Sequence, residues 1–457
     1  MSIVKRGQHH HLTVSDLDSK GRGVGVIDGQ RVFLRGLAVP GDSGTAAILR
    51  RKAATFEAAI DRMDRYGAPR VTAACRHVDR CGSCRWQQLA RPVQADLKRR
   101  MVVAALSEIT LDAEGTVLAV QTPGWSYFYR NKMEFSFGHR GGLSLGLHKA
   151  GRFDAVFDAK ECLLQSPLSN RIMDAVREWA RSNALEVWAP RLQSGCLRYL
   201  VIREGKQTGD VMVNLVTAER EFAGKNELAD LFAREMPEVS SLWLTVNDTK
   251  ASVTTGEYTE LLGGVPTIDE RLGRLRLTVS PQSFFQTNTL GAEALYEEIA
   301  RQAALTGNEK LLDVCCGTGT IGLWLANDAS SVLGIDSSPD SIADAKLNAE
   351  KNGIDHAEFR CGTAEDELAR WSDDTPDVVV VDPPRAGLHS KAVAALAKLH
   401  APKIVYVSCN PRSMAADVRA LMVVGYEMGS VQPVDMFPHT PHIEAVTTLT
   451  LGANTEG

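Results

Sequence analysis

Two stretches near the carboxyl end of the chain are apolar at every position instead of at alternate ones. Val378-Val-Val-Val381 runs straight into Asp382-Pro-Pro-Arg385, and Ile404-Val-Tyr-Val407 runs into Ser408-Cys409-Asn410-Pro411. Continuous runs of this kind, rich in β-branched residues, predict strands buried on both faces, and hence a parallel sheet. Ligands of such sheets bind beyond the carboxyl ends of the strands. Asp382 and Cys409 are therefore expected side by side at one sheet edge, with the following prolines stopping each strand. The same alternation of strand and helix extends back to residue 281. Leu290, Ala294, Leu295 and Ile299 predict an amphipathic helix over 289–303. A strand at 310–314, a glycine turn and a second strand at 332–336 follow it.

Upstream the pattern differs. Residues 1–64 hold short strand patterns at 12–14, 21–26, 31–34 and 45–49 separated by glycine turns, which predicts a small β-barrel. Residues 65–280 read as mixed α/β structure, with helices at 169–182 and 227–235. Strands are expected there at 133–137, 197–203, 210–216, 241–246 and 274–279. The expected organisation is thus a barrel over 1–64, a central α/β segment over 65–280 and a Rossmann-like α/β domain over 281–457.

Composition adds little to this picture. A chain of 457 residues, 44% hydrophobic and 23% charged, is an ordinary globular composition, and no apolar run reaches transmembrane length. A cytoplasmic protein without membrane contact, working as a monomer, is the expectation. The net charge of −5 is unevenly spread: residues 1–55 carry nine Lys/Arg against four Asp, and residues 75–100 carry seven against two. That asymmetry suits a polyanion footprint, and equally a solvated basic face.

Nine cysteines in a long chain without a secretory signal argue for metal or catalytic use over disulfides. Cys75-x5-Cys81-x2-Cys84 clusters three thiols, and Cys162 offers a fourth. Four thiolates suit a tetrahedral zinc ion or an iron–sulfur cluster. The long x5 step and the distant fourth cysteine depart from the paired spacing of most zinc sites.

Gly317-x-Gly319-x-x-Gly322 matches a dinucleotide fingerprint and is weak evidence alone. Asp313, four residues upstream of Gly317, changes its meaning. A carboxylate there repels phosphate and accepts a cation, as in the amino-acid half of S-adenosylmethionine. Asp336, at the end of the second strand, is placed to bond ribose hydroxyls. Tyr129-Arg130-Asn131-Lys132, ahead of an alternating strand, combines aromatic and cationic groups that can stack on and neutralise a nucleotide chain.

Taken together, these motifs resemble the RNA uracil-5-methyltransferase family, and most closely its iron–sulfur branch acting on large-subunit ribosomal RNA. The resemblance spans nearly the whole chain. Gly21–Val26 with Arg31-Val-Phe-Leu and Gly41-Asp42 resembles a TRAM domain. The four cysteines, Ser283-Phe-Phe-Gln286-x-Asn288, Asp313–Gly319, Asp382-Pro-Pro-Arg-Ala-Gly-Leu, Ser408–Pro411 and His442-x-Glu444 complete the match. The family implies Cys409 as nucleophile and Glu444 as base. It implies donor contacts at Gln286, Asp313, Cys315, Gly317, Gly319, Thr320, Asp336, Thr363 and Asp382, and a [4Fe-4S] cluster on Cys75, Cys81, Cys84 and Cys162. It implies RNA as partner, with 23S ribosomal RNA first and uridine-54 of transfer RNA as the alternative. The chemistry explains the cysteine. Uracil C5 is a poor nucleophile until a thiolate adds at C6 and makes the ring an enolate. Amino-group methyltransferases also carry Asp-Pro-Pro, but they follow it with an aromatic residue where Arg385 stands here. An RNA-binding iron–sulfur protein with a vestigial catalytic half would have no need of Cys409, Glu444 and Asp382 together.

Overall fold

The computed structural model describes residues 5–52, 55–139, 141–372 and 374–452. Its carboxyl-terminal part is a seven-stranded sheet built from β1 (Lys310–Val314), β2 (Ser331–Asp336), β3 (Ala357–Cys361), β4 (Val378–Val381), β5 (Lys403–Ser408), β6 (Tyr426–Val434) and β7 (Glu444–Leu451). The strands lie in the order β3-β2-β1-β4-β5-β7-β6. The first five run parallel, as the apolar runs predict. β7 is antiparallel to both β5 and β6, so the sheet is mixed and not wholly parallel.

Each central strand is buried on both faces. Leu311, Val378, Val380 and Val405 pack under the helix Thr289–Ala303 through Leu295, Tyr296 and Ile299. Leu312, Val379, Val381 and Ile404 pack on the other face against Leu396, Met414 and Leu421. Every such side chain contributes roughly 1.5–3 kcal/mol of burial, which favours this register over a one-residue slip that would exchange the faces.

The second face also receives Val102, Val103 and Leu106 of a helix, Arg91–Leu106, which the sequence pattern does not announce. Residues 91–121 lie next to the cysteine-rich stretch in the chain, yet they pack on the catalytic sheet. Val117 and Gln121 even bridge to Val431 and Val434 of β6.

The central part is a second seven-stranded sheet, running from Tyr258–Gly264 at one edge to Arg152–Asp158 at the other. The helices Pro167–Ser182 and Lys225–Glu235 share its core. At the amino-terminal end, six strands between His9 and Arg65 form one sheet around Leu12, Val32, Leu34, Ile48 and Phe56. Its two edge strands, His9–Thr13 and Asp16–Leu17, are joined by only two residues, so the sheet curls back towards itself.

Part of the basic excess of this half is paired within the fold. Glu57 receives Arg35 and Arg50, and Asp18 receives Arg22. Arg99 binds Glu114, and both Arg91 and Lys98 bind Asp435. Lys98 and Arg91 are withdrawn into the interior, whereas Arg35 and Arg50 stay largely exposed beside Glu57 and remain part of the footprint that the charge count suggests. Among the described residues no helix is long and apolar enough to cross a membrane.

Candidate active site

The carboxyl ends of β1, β2, β3, β4 and β5 share one edge, and the residues predicted to bind the donor gather there. Asp313, inside β1, is fully buried. Its Oδ2 accepts the Gly322 amide at 2.8 Å, while its Oδ1 has no partner. Burial pushes its carboxyl up to about 7, with the charges of Asp382 and Asp336 adding. Asp382, one residue beyond β4, is likewise pushed up to about 7 by burial, and Gln286 Nε2 lies 3.5 Å from it. Asp336 closes β2 and accepts the amides of Gly317 at 3.0 Å and Ser338 at 2.8 Å.

The turn between β1 and the helix Thr320–Leu325 needs left-handed backbone at Cys315 (φ 64°), Gly317 (φ 54°) and Gly319 (φ 76°). At Gly319 a Cβ would stand 2.8 Å from the Phe359 ring, so glycine is required for space as well as conformation. Cys315, a non-glycine residue held there, marks local strain of the kind found at ligand sites. The Thr320 hydroxyl shares a 2.7 Å hydrogen bond with Tyr296. Thr363, just past β3, caps the helix Ala364–Ala369 by accepting from Asp366 N at 3.2 Å. The exposed Phe284 ring lies beside Gly317. Buried carboxylates with an unpartnered oxygen, beside a backbone bared by glycine, fit a ligand that brings its own cation.

Cys409 follows β5 directly. Ser408 pairs with Ala445 across the β5–β7 ladder, so the next pair outward is Cys409 with Glu444. Cys409 is half-buried, and burial pushes its thiol up to about 11, with Glu444 and Asp382 adding and Arg385 opposing. Buried Glu444 is raised well above the ordinary glutamate range by burial and by Asp382, again opposed by Arg385. Arg385 Nη2 also lies 3.0 Å from His442 Nδ1, and its carbonyl accepts from Asn410 Nδ2 at 2.9 Å. Sequence reasoning gave Arg385 and His442 no role at this pair.

The loop from Asp435 to Glu444 is clamped by distant parts of the chain. Lys98 Nζ donates to Asp435 Oδ1 at 2.5 Å and to the Phe437 carbonyl at 3.0 Å. Arg91 donates to Asp435 Oδ2 at 2.8 Å, and Gln94 Oε1 accepts the His439 amide at 2.8 Å. The Trp86 amide donates to the His439 carbonyl at 2.9 Å, and Tyr127 stacks on the His439 ring at 4.6 Å.

Residues 267–451 match the family model described as tRNA (uracil-5-)-methyltransferase. An uncharacterized RNA methyltransferase of Bacillus anthracis is 38% identical, covering 98% of each chain. One of Clostridium acetobutylicum is 33% identical, again over 98% of each. The crystal structure of Pyrococcus abyssi tRNA (uracil-54, C5)-methyltransferase in complex with S-adenosyl-L-homocysteine superposes with a TM-score of 0.76 at 30% identity, covering 96% of this chain and all of that one. The chain belongs to the tRNA (uracil-5-)-methyltransferase family. It is an RNA methyltransferase, and S-adenosylmethionine is its methyl donor.

In this methyltransferase the four predicted cysteines line one small cavity, with Leu147, Phe157 and Leu164 among its walls. Amides of His77 and Ser83 point at the sulfurs of Cys75 and Cys81, each at 3.4 Å. Among the described residues no group of three or more His, Cys, Asp or Glu side chains is set to ligate a single metal ion. The Tyr129–Lys132 stretch packs as a polar cluster at the sheet end, the alternative to RNA stacking that its spacing favours. Tyr129 is buried with its hydroxyl on the Pro438 carbonyl, and Asn131 is buried against Gln286 and Thr289.

Proposed function

We propose that this enzyme methylates C5 of a uridine in RNA through a covalent adduct between Cys409 and C6. The nearness of Cys409 and Glu444 just beyond the last pair of the β5–β7 ladder, beside Asp382, carries the reading. The Cys409 sulfur bonds to C6, and the displaced electron pair makes C5 nucleophilic. Bound S-adenosylmethionine supplies the electrophilic methyl group. Glu444 then takes the proton from C5, and the electron pair left behind re-forms the C5–C6 double bond and expels the Cys409 thiolate. Arg385, acting on both groups, favours their charged forms.

Asp313, Asp336, Asp382 and Gln286 hold the donor over the turn of Cys315, Gly317, Gly319 and Thr320, with Thr363 at the rim. The orphaned Asp313 oxygen and the two carboxyls held near neutrality favour a cationic amino-acid group there. The amino-terminal sheet serves as a TRAM-type RNA-binding module over 1–64, ahead of a central domain over 65–280 and the catalytic domain over 281–457, in a cytoplasmic monomer. The substrate is 23S ribosomal RNA on motif resemblance. Transfer RNA is the second reading, because the Pyrococcus abyssi relative acts on uracil-54 of tRNA. Incubating the enzyme with labelled donor and unmodified transcripts of both RNAs, then mapping 5-methyluridine by mass spectrometry, decides between them. Methyl label on an exocyclic amine, or on neither RNA, would sink the proposal.

The cysteine cavity fits a [4Fe-4S] cluster held by Cys75, Cys81, Cys84 and Cys162 in a structural role. Four thiols lining one shared cavity match the four thiolates that such a cluster takes. Amide donors to sulfur favour the thiolate form. Anaerobically prepared protein is expected to be brown, with about four iron and four sulfide per chain, and Cys81→Ser to lose both while still binding donor. Stoichiometric zinc with no visible absorption would refute the cluster.

A further inference from the structure

Residues 124–131 form a strip fixed on three sides, yet two of its aromatic rings face solvent. On the first side, Gly124 sits against Leu290 at the start of the helix that follows Gln286. Arg130 bridges to Asn288, and the Asn131 amide donates to the Thr287 carbonyl at 3.0 Å. On the second, Tyr127 stacks on His439 and the Arg130 guanidinium lies 5.8 Å from the Phe437 ring, both on the loop leading to Glu444. On the third, the amides of Phe128 and Arg130 donate to Leu163 and Leu164, next to Cys162.

Within this frame Trp125 is 71% exposed, and Phe128, held at φ 56°, is 38% exposed. A left-handed phenylalanine is strained, and exposing two rings forgoes burial. Neither is what packing alone selects. Positive charge borders the strip: Arg130 lies within it, and Arg385 Nη2 is 3.0 Å from His442 Nδ1 on the loop leading to Glu444. Rigid exposed rings beside guanidinium groups suit successive unpaired bases, whose faces stack while the cations meet the phosphates. A uridine reaching half-buried Cys409 must also leave any helix, so its neighbours arrive unpaired.

We propose that Trp125 and Phe128, with Arg130, form the docking surface for unpaired nucleotides flanking the target uridine. This rests on the methyltransferase reading above and adds, beside the catalytic edge, a contact for unpaired bases to the RNA contact of the amino-terminal sheet.

The test uses a short unpaired RNA containing uridines, the same sequence as a duplex, and full-length enzyme. Trp125 is the one exposed tryptophan among the described residues, so the unpaired RNA is expected to quench emission and the duplex to do so far less. Trp125→Phe keeps a stacking ring and is expected to keep the RNA affinity while losing most of the quenching. Trp125→Ala is expected to raise KM for the unpaired RNA about tenfold, the size of one lost stack, without changing the affinity for S-adenosylhomocysteine. An unchanged KM in Trp125→Ala, or an equal loss of RNA and donor binding, overturns the proposal. Quenching that tracks protein concentration instead of RNA would put a second copy of the chain on the strip and overturns it too. Wild-type enzyme that methylates neither RNA form would count against the methyltransferase reading instead.

Discussion

Glu444→Gln is expected to leave the enzyme stalled on its RNA. Glutamine matches the shape of the buried side chain but cannot take the proton from C5. Addition of Cys409 and methyl transfer proceed, and the thioether then persists. Loss of a general base costs about 10²–10⁴-fold in turnover. On a denaturing gel, labelled RNA should migrate with the protein, and the band should require the methyl donor. Cys409→Ala should show no band and a turnover defect at least as large, and the double variant should show none, because the two residues act as one unit. Both groups must lose a proton to work, and burial favours the protonated form of each: Cys409 is raised to about 11 and Glu444 well above its ordinary range. The sign follows. Activity of the wild type should rise with pH across the neutral range. Normal turnover by Glu444→Gln, or uridine methylation by Cys409→Ala, would overturn the assigned roles.

Asp435→Asn is expected to be the most destabilising of the conservative changes near the site. Asp435 and Lys98 are both fully buried, and the carboxylate also receives Arg91. Asparagine keeps an acceptor oxygen but removes the opposing charge, leaving the Lys98 ammonium buried without a counter-ion, a loss of about 3–5 kcal/mol. Burial outweighs the attraction of Asp435 and pulls the Lys98 ammonium from 10.5 down to about 8. An unfolded chain keeps a proton that the folded one gives up in that window, so this group's contribution to stability rises with pH between those values. Without Asp435 the Lys98 ammonium loses its main attraction and gives up its proton at still lower pH, so the deficit of Asp435→Asn should shrink as pH rises towards about 8 and level off above it. Urea unfolding at several pH values measures it. A deficit under about 1 kcal/mol at neutral pH, the scale of an exposed pair, would show that the pair does not hold the loop. Function should suffer in one step above the others. Asp435 begins the loop that ends in Glu444, so the variant should accumulate more RNA adduct per turnover than wild type.

The parts of this site that the sequence reveals are those encoded by local periodicity and chirality. Uninterrupted runs at 378–381 and 404–407 predict strands buried on both faces, and the structure puts them in adjacent parallel positions. The glycines at 317 and 319 predict a left-handed turn, because few other residues adopt it at no steric cost. Acids at strand ends predict ligand groups at one edge, because the strands run parallel. What such patterns cannot carry is which distant segments meet. Arg91–Leu106 is hard to read as a helix packed on the sheet because Lys98, on its buried side, looks like a solvated charge until Asp435 is found opposite it. Tyr129 and Trp125 look alike as aromatic residues in a loop. Only the packing of residues 124–131 against three other segments decides which ring is buried and which is bare. The Cys409–Glu444 pair is the clearest case. Each lies at a strand end that local pattern can find, but their meeting depends on β7 entering the sheet antiparallel between β5 and β6. That reversal brings the first residue of one strand to the same edge as the residue following another, and hydrogen-bond register between strands distant in the chain is a property of the folded sheet alone.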